Sequence, residues 1–119
     1  MTRILVVDDE ELVRTLTVQV LERAGYEVVG AGDAQRALDL LEQGRFDLVL
    51  SDVVMPGLSG VELLNELRDR RPELPVLLMT GGSPEPERTT RALELGANGI
   101  VYKPYSHPEL LDAVRAALA

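Results

Sequence analysis

Cysteine and tryptophan are both absent from the 119 residues. Without cysteine there is no disulfide scaffold, no thiol catalysis and no cysteine-held zinc. Without tryptophan, native tryptophan fluorescence cannot report on the chain. Long hydrophobic runs are missing too: Ile4-Leu5-Val6-Val7 ends after four residues at Asp8-Asp9-Glu10-Glu11. A secretory segment needs roughly seven apolar residues and a spanning helix about twenty, so the chain reads as cytoplasmic, with no membrane partner. Positive charge is scarce. Twelve Lys and Arg stand against 20 Asp and Glu, a net charge of −8, which makes direct nucleic-acid binding by phosphate neutralisation a poor candidate. Lysine is scarcer still, since eleven of the twelve are arginine and only Lys103 is lysine. No G-x-x-x-x-G-K-[ST] occurs, so a P-loop is excluded. Repeats, low-complexity tracts and linkers are lacking as well.

What is present is an apolar fraction of 45%, enough for a core without cross-links. Two hydrophobic signatures alternate. Short apolar runs at 3–8, 27–31, 47–52, 75–80 and 99–102 fit strands buried on both faces. Between them lie helical patterns. The first covers 10–24, with Val13, Leu16, Val20 and Ala24 expected inward and Gly25 as a stop. The second follows Asp33, with Ala34, Ala37, Leu38 and Leu41 inward and Gly44 at its end. Ser59 with Glu62, and Ser106 with Glu109, are capping-box patterns opening the third and fifth. The fourth lies near 86–95. This order, strand then helix five times over, predicts a doubly wound α/β fold: a five-stranded parallel sheet, (β/α)5, with helices on both faces. Residues 1–119 read as one domain that this pattern uses up, with nothing left for an effector.

In an open α/β sheet the ligand site lies beyond the carboxyl ends of the strands. The first strand ends in Asp8-Asp9, the third in Asp52, the fourth in Thr80 and the fifth in Lys103; the second ends blandly in Ala31-Gly32. Three carboxylates brought together repel, and a divalent cation resolves this. Oxygen ligands without His or Cys favour Mg2+, or a similar hard ion such as Mn2+. An ammonium and a hydroxyl suit the oxygens of a phosphoryl group. Glu10 and Glu11 read instead as acids favouring a helix N-terminus. Met55-Pro56-Gly57 reads as a structural turn, with Pro56 and Gly57 at the centre of a type II turn. His107, the one histidine, stands before Pro108 at a helix opening and reads as a surface residue, so the chain is a phosphoryl recipient rather than a histidine donor.

These residues resemble the receiver domain of two-component response regulators, the CheY-like family known from bacterial signal transduction, over the full length. The resemblance rests on VVDDE (6–10), SDVVMPGLSG (51–60), LLMTGG (77–82) and YKPY (102–105). It implies the flavodoxin-like strand order 2-1-3-4-5. It also implies that Asp52 is the phosphoacceptor, attacking the phosphohistidine of a histidine kinase or histidine phosphotransfer protein. Asp9 and Asp52 would ligate Mg2+ directly, Asp8 through water, with the backbone carbonyl of Val54 completing the set. Lys103 would pair with Asp52 and then with the phosphoryl group; Thr80 would move onto a phosphoryl oxygen; the Lys103-Pro104 bond would be cis. Kinase docking would use the first helix and the loops around Asp52. A downstream protein or a second copy would use the face of the fourth helix, fifth strand and fifth helix. No separate substrate turnover is expected.

The chain departs from the family pattern at three places. Ile100 stands where many receivers carry a switch aromatic, three residues before the lysine. Val54 and Gly82 stand two residues after the acceptor and the threonine, and neither side chain can orient an attacking water. Other function classes fit less well. An aspartate-nucleophile phosphatase of the haloacid dehalogenase type needs a second acid where Val54 stands. A flavodoxin-like FMN carrier needs a phosphate-holding loop where DDEE stands. A receiver used only for docking would not need all five chemical residues.

Overall fold

The computed structural model describes residues 1–55, 57–81 and 92–119. Five apolar runs form strands: β1 (Arg3–Val7), β2 (Glu27–Ala31), β3 (Leu48–Asp52), β4 (Val76–Thr80) and β5 (Gly99–Tyr102). They make one sheet in the order β2-β1-β3-β4-β5, with every pair parallel. The chain leaves β1 towards β2, then crosses back to β3 and continues outward. The order therefore reverses between β1 and β3, where the carboxyl ends leave a crevice. Central β3 is buried at all five positions, which is why its sequence shows no polar alternation.

Four helices are complete among the described residues: α1 (Glu11–Arg23), α2 (Ala34–Gln43), α3 (Gly60–Arg70) and α4 (His107–Leu118). Residues 92–94 are helical as well, the tail of the expected 86–95 helix, whose earlier part lies outside the described residues. Neighbouring strand residues feed opposite faces. Leu5, Val7, Val49 and Leu78 pack with Ala37, Leu41, Leu63 and Leu67 of α2 and α3. Ile4, Val6, Leu50 and Met79 pack with Leu21, Leu110 and Val114 of α1 and α4. Each helix supplies one apolar stripe, so the sheet is covered on both sides. None of these helices is long and apolar enough to cross a membrane.

Side-chain caps fix where α2, α3 and α4 begin. The Asp33 carboxylate accepts from the Arg36 N–H at 2.7 Å. Ser59 with Glu62 and Ser106 with Glu109 form reciprocal capping boxes, each satisfying two backbone donors that the first turn leaves free. On α1 the inward stripe differs from the expected one. Thr17 and Leu21 are its buried residues, while Leu16 is 52% exposed and Ala24 is exposed. Val20 packs against the core as expected, but the stripe runs chiefly through 14, 17, 18 and 21. A threonine at its centre and an arginine at its start conceal it from a hydrophobic pattern.

Candidate functional site

Backbone pairing delivers the acids. The Asp8 N–H donates to the Ala31 carbonyl at 3.1 Å, extending the ladder one residue past β1, and Asp8 is fully buried. Asp52 closes β3 with 6% exposure. Two contacts hold the turn after it: the Val53 N–H donates to the Met79 carbonyl, and the Gly60 N–H to the Val53 carbonyl, both at 2.9 Å. A Cβ at position 60 would overlap the Asp52 carbonyl oxygen, so only glycine fits against the acceptor strand there. Gly57 has φ +77°, the value the second central residue of a type II turn requires; its expected partner Pro56 lies outside the described residues.

The cation arrives from the far strand. The Lys103 N–H donates to the Thr80 carbonyl at 2.7 Å, continuing the β4–β5 ladder. The Lys103 Nζ then reaches back to Asp8 Oδ2 at 3.1 Å and Asp52 Oδ2 at 3.4 Å. The Lys103-Pro104 peptide bond is cis. Thr80 ends β4, half-buried, opposite Tyr102 of β5. Ile100 pairs with Leu78 and packs against the α2–α3 side of the core. Gly82 lies outside the described residues. His107 is exposed at the start of α4.

Asp8, Glu10 and Asp52 each offer a carboxylate oxygen within 4.8 Å of the others. This set differs from the expected Asp8, Asp9 and Asp52. The chain bends at Asp9 just after β1, so the side chains beyond Val7 do not simply keep a strand's alternation. Asp8 turns in and the Glu10 carboxylate rejoins it, while its N–H donates to Asp8 Oδ1 at 3.0 Å. Asp9 is exposed and stands beside this cluster, lining an open cavity of about 560 Å3 with Gly32, Asp33 and Gly57. Val54, two residues after Asp52, is 63% exposed, and its backbone adds a small downward pull on the Asp52 carboxyl.

One ammonium serves two buried acids. Burial pushes the Asp52 carboxyl above its ordinary range; Lys103 draws it down, and the Asp8 charge pushes it up again. For Lys103, burial alone would lower the amine, but the hydrogen bond to Asp8 and the charges of Asp52 and Asp8 outweigh it and leave it raised. Negative charge is in excess, in an all-oxygen donor set. That is the chemistry of a hard divalent cation site. Sequence reasoning reached Asp8, Asp52 and Lys103, which meet in the cluster, but missed three supporting residues. Gly60 was one letter of a motif, Glu10 read as a helix-end acid, and Arg14 donates through Nη1 to the Asp8 carbonyl at 2.7 Å.

The model of the response regulator receiver domain family matches residues 4–115. The alkaline phosphatase synthesis transcriptional regulatory protein PhoP of Bacillus subtilis is 40% identical over 116 residues, covering 98% of this chain and 48% of that protein. The transcriptional regulatory protein CpxR of Escherichia coli K12 is 39% identical over 118 residues, covering 99% and 50%. The solved structure of chemotaxis protein CheY4 from Vibrio cholerae superposes with a TM-score of 0.93 at 32% identity, covering 99% of each chain. The chain spans about half the length of the curated relatives it matches.

Proposed function

The chain belongs to the response regulator receiver domain family of two-component signalling, and from that premise we propose that Asp52 accepts a phosphoryl group from the phosphohistidine of a histidine kinase or histidine phosphotransfer protein. The observation that carries this reading is the Lys103 ammonium bridging Asp8 and Asp52 at the carboxyl ends of β1 and β3. An Asp52 oxygen attacks phosphorus, the P–N bond breaks, and the imidazole leaves with its electron pair. An acyl phosphate results. Lys103 stays protonated, gives up its contact with Asp52 and holds a phosphoryl oxygen. The Thr80 hydroxyl donates to another, and that motion starts the switch.

Mg2+, when bound, neutralises the acids and the incoming phosphoryl oxygens. Asp8, Glu10 and Asp52, whose carboxylate oxygens lie within 4.8 Å of one another, would hold it. Asp9 and the Val54 carbonyl would complete the ligand set from the exposed lip. The domain runs no separate substrate turnover. Output passes through the face of the expected fourth helix, β5 and α4, to a downstream protein or a second copy. Ile100 has no ring to swing there, so helix rearrangement carries the signal.

Incubation with a small-molecule phosphodonor and Mg2+, followed by intact mass, tests the reading. The expected result is a gain of one phosphoryl group that disappears in Asp52→Asn. A chain that gains nothing under conditions that load other receivers is a docking module instead.

A further inference from the structure

Helix α1 carries two fasteners. Arg14 and Thr17 are three residues apart and so share one face of the helix. Arg14 holds the Asp8 carbonyl. The Thr17 hydroxyl, on a residue only 2% exposed, lies 2.6 Å from the Tyr105 hydroxyl. Tyr105 stands two residues beyond Lys103 and packs its ring against the α1–α4 side of the core. Lys103 is therefore tied on one side to β4, through the Thr80 carbonyl, and just beyond itself to α1. A lysine stem is flexible, so the reach of its ammonium depends on where its backbone is held. Packing alone would place two apolar side chains in this contact, because buried hydroxyls cost free energy unless bonded.

We propose that the Thr17–Tyr105 hydrogen bond is a positioning device for Lys103. It fixes the loop after β5 against the helix that also holds Asp8, so that the ammonium and the acids keep one register. Neither hydroxyl touches the reacting atoms; both act through Lys103. The kinetic consequence rests on the phosphoacceptor reading above, whereas the placement of the ammonium does not.

The single lysine makes the placement directly observable. Lysine-selective isotope labelling gives one side-chain NMR signal, from Lys103. Tyr105→Phe and Thr17→Val should each move it towards its position in the urea-unfolded chain, and the double variant should move it no further than the larger single change. Thr17→Ser, which keeps the hydroxyl, should retain the wild-type signal. Tyr105→Phe should also slow loading by a small phosphodonor by about tenfold to a hundredfold, with Mg2+ affinity unchanged. In a Lys103→Met background it should slow loading no further. A Lys103 signal unmoved by Tyr105→Phe overturns the proposal, as does a rate loss that persists without Lys103. A wild-type chain that takes no phosphoryl group overturns the proposed function alone, and the lysine signal still decides the positioning.

Discussion

Asp52 and Lys103 answer to pH in the same direction. Burial, the largest influence on Asp52, leaves its carboxyl raised in the folded chain. A raised group contributes stability that is fully present below its unfolded value, about 3.9 for Asp, and is lost as pH rises through the folded value. Ionised Asp52 therefore costs stability at neutral pH. Asp52→Asn should raise the melting temperature by a few degrees at pH 7, and the gain should vanish below about pH 4; thermal melts across this range check it. Lys103 is also raised, by Asp8 and Asp52 against the effect of burial, so its contribution is complete at neutral pH and fades only in strong alkali. Lys103→Met leaves two acids buried around no cation and should cost about 3 kcal/mol at pH 7, read by urea unfolding. These residues were legible because each stands at a strand end, and strand ends can be counted from apolar runs. The split between Asp9 and Glu10 was not legible, because it depends on how the chain bends after Val7. Asp9→Asn and Glu10→Gln separate their parts in the cation site: by the proposed ligand set, Asp9→Asn should weaken Mg2+ binding tenfold or more, to be checked by calorimetric titration.

At the scale of elements, α1 shows the limit of pattern reading. Its length follows from the sequence, though no side chain caps its start, but its inward face does so only in part, at Val20, since the central inward residue is Thr17 and not an aliphatic one. A threonine is ambiguous in a hydrophobic pattern; here its hydroxyl finds Tyr105, 88 residues away in sequence, and no local period encodes that. The corrected face makes a simple test. Leu16→Gln, on a half-exposed position, should change stability by less than about 0.5 kcal/mol. Leu21→Ala, fully buried, should cost about 2–5 kcal/mol. Denaturant titration distinguishes them. Helices α2 and α3 were easier to read because, apart from Gly60, their inward residues are alanine and leucine, at spacings of three and four.

For the molecule as a whole, the sheet order was carried by resemblance, while strand number and the two covered faces came from the apolar pattern. The pattern marks which runs are buried in the sheet; it does not say on which side of β1 the third strand lies. That single choice creates the crevice where Asp8 and Asp52 meet. Ligand linkage then ties the whole fold to the site. A cation bound only by the folded chain adds about 2.7 kcal/mol at a concentration one hundred times its dissociation constant. The melting temperature should therefore climb with added Mg2+, and Asp8→Asn should flatten the climb.

The bridge from Lys103 to Asp8 and Asp52 has one more consequence, in amine chemistry. Within these 119 residues it is the single side-chain amine. Any acetylating or amine-coupling reagent that reaches a lysine here must reach this one, and must first break an ion pair whose ammonium side chain is only 18% exposed. Acylation would erase the charge shared by the two acids. For this sequence, labelling of lysine and disabling of the site are one and the same event.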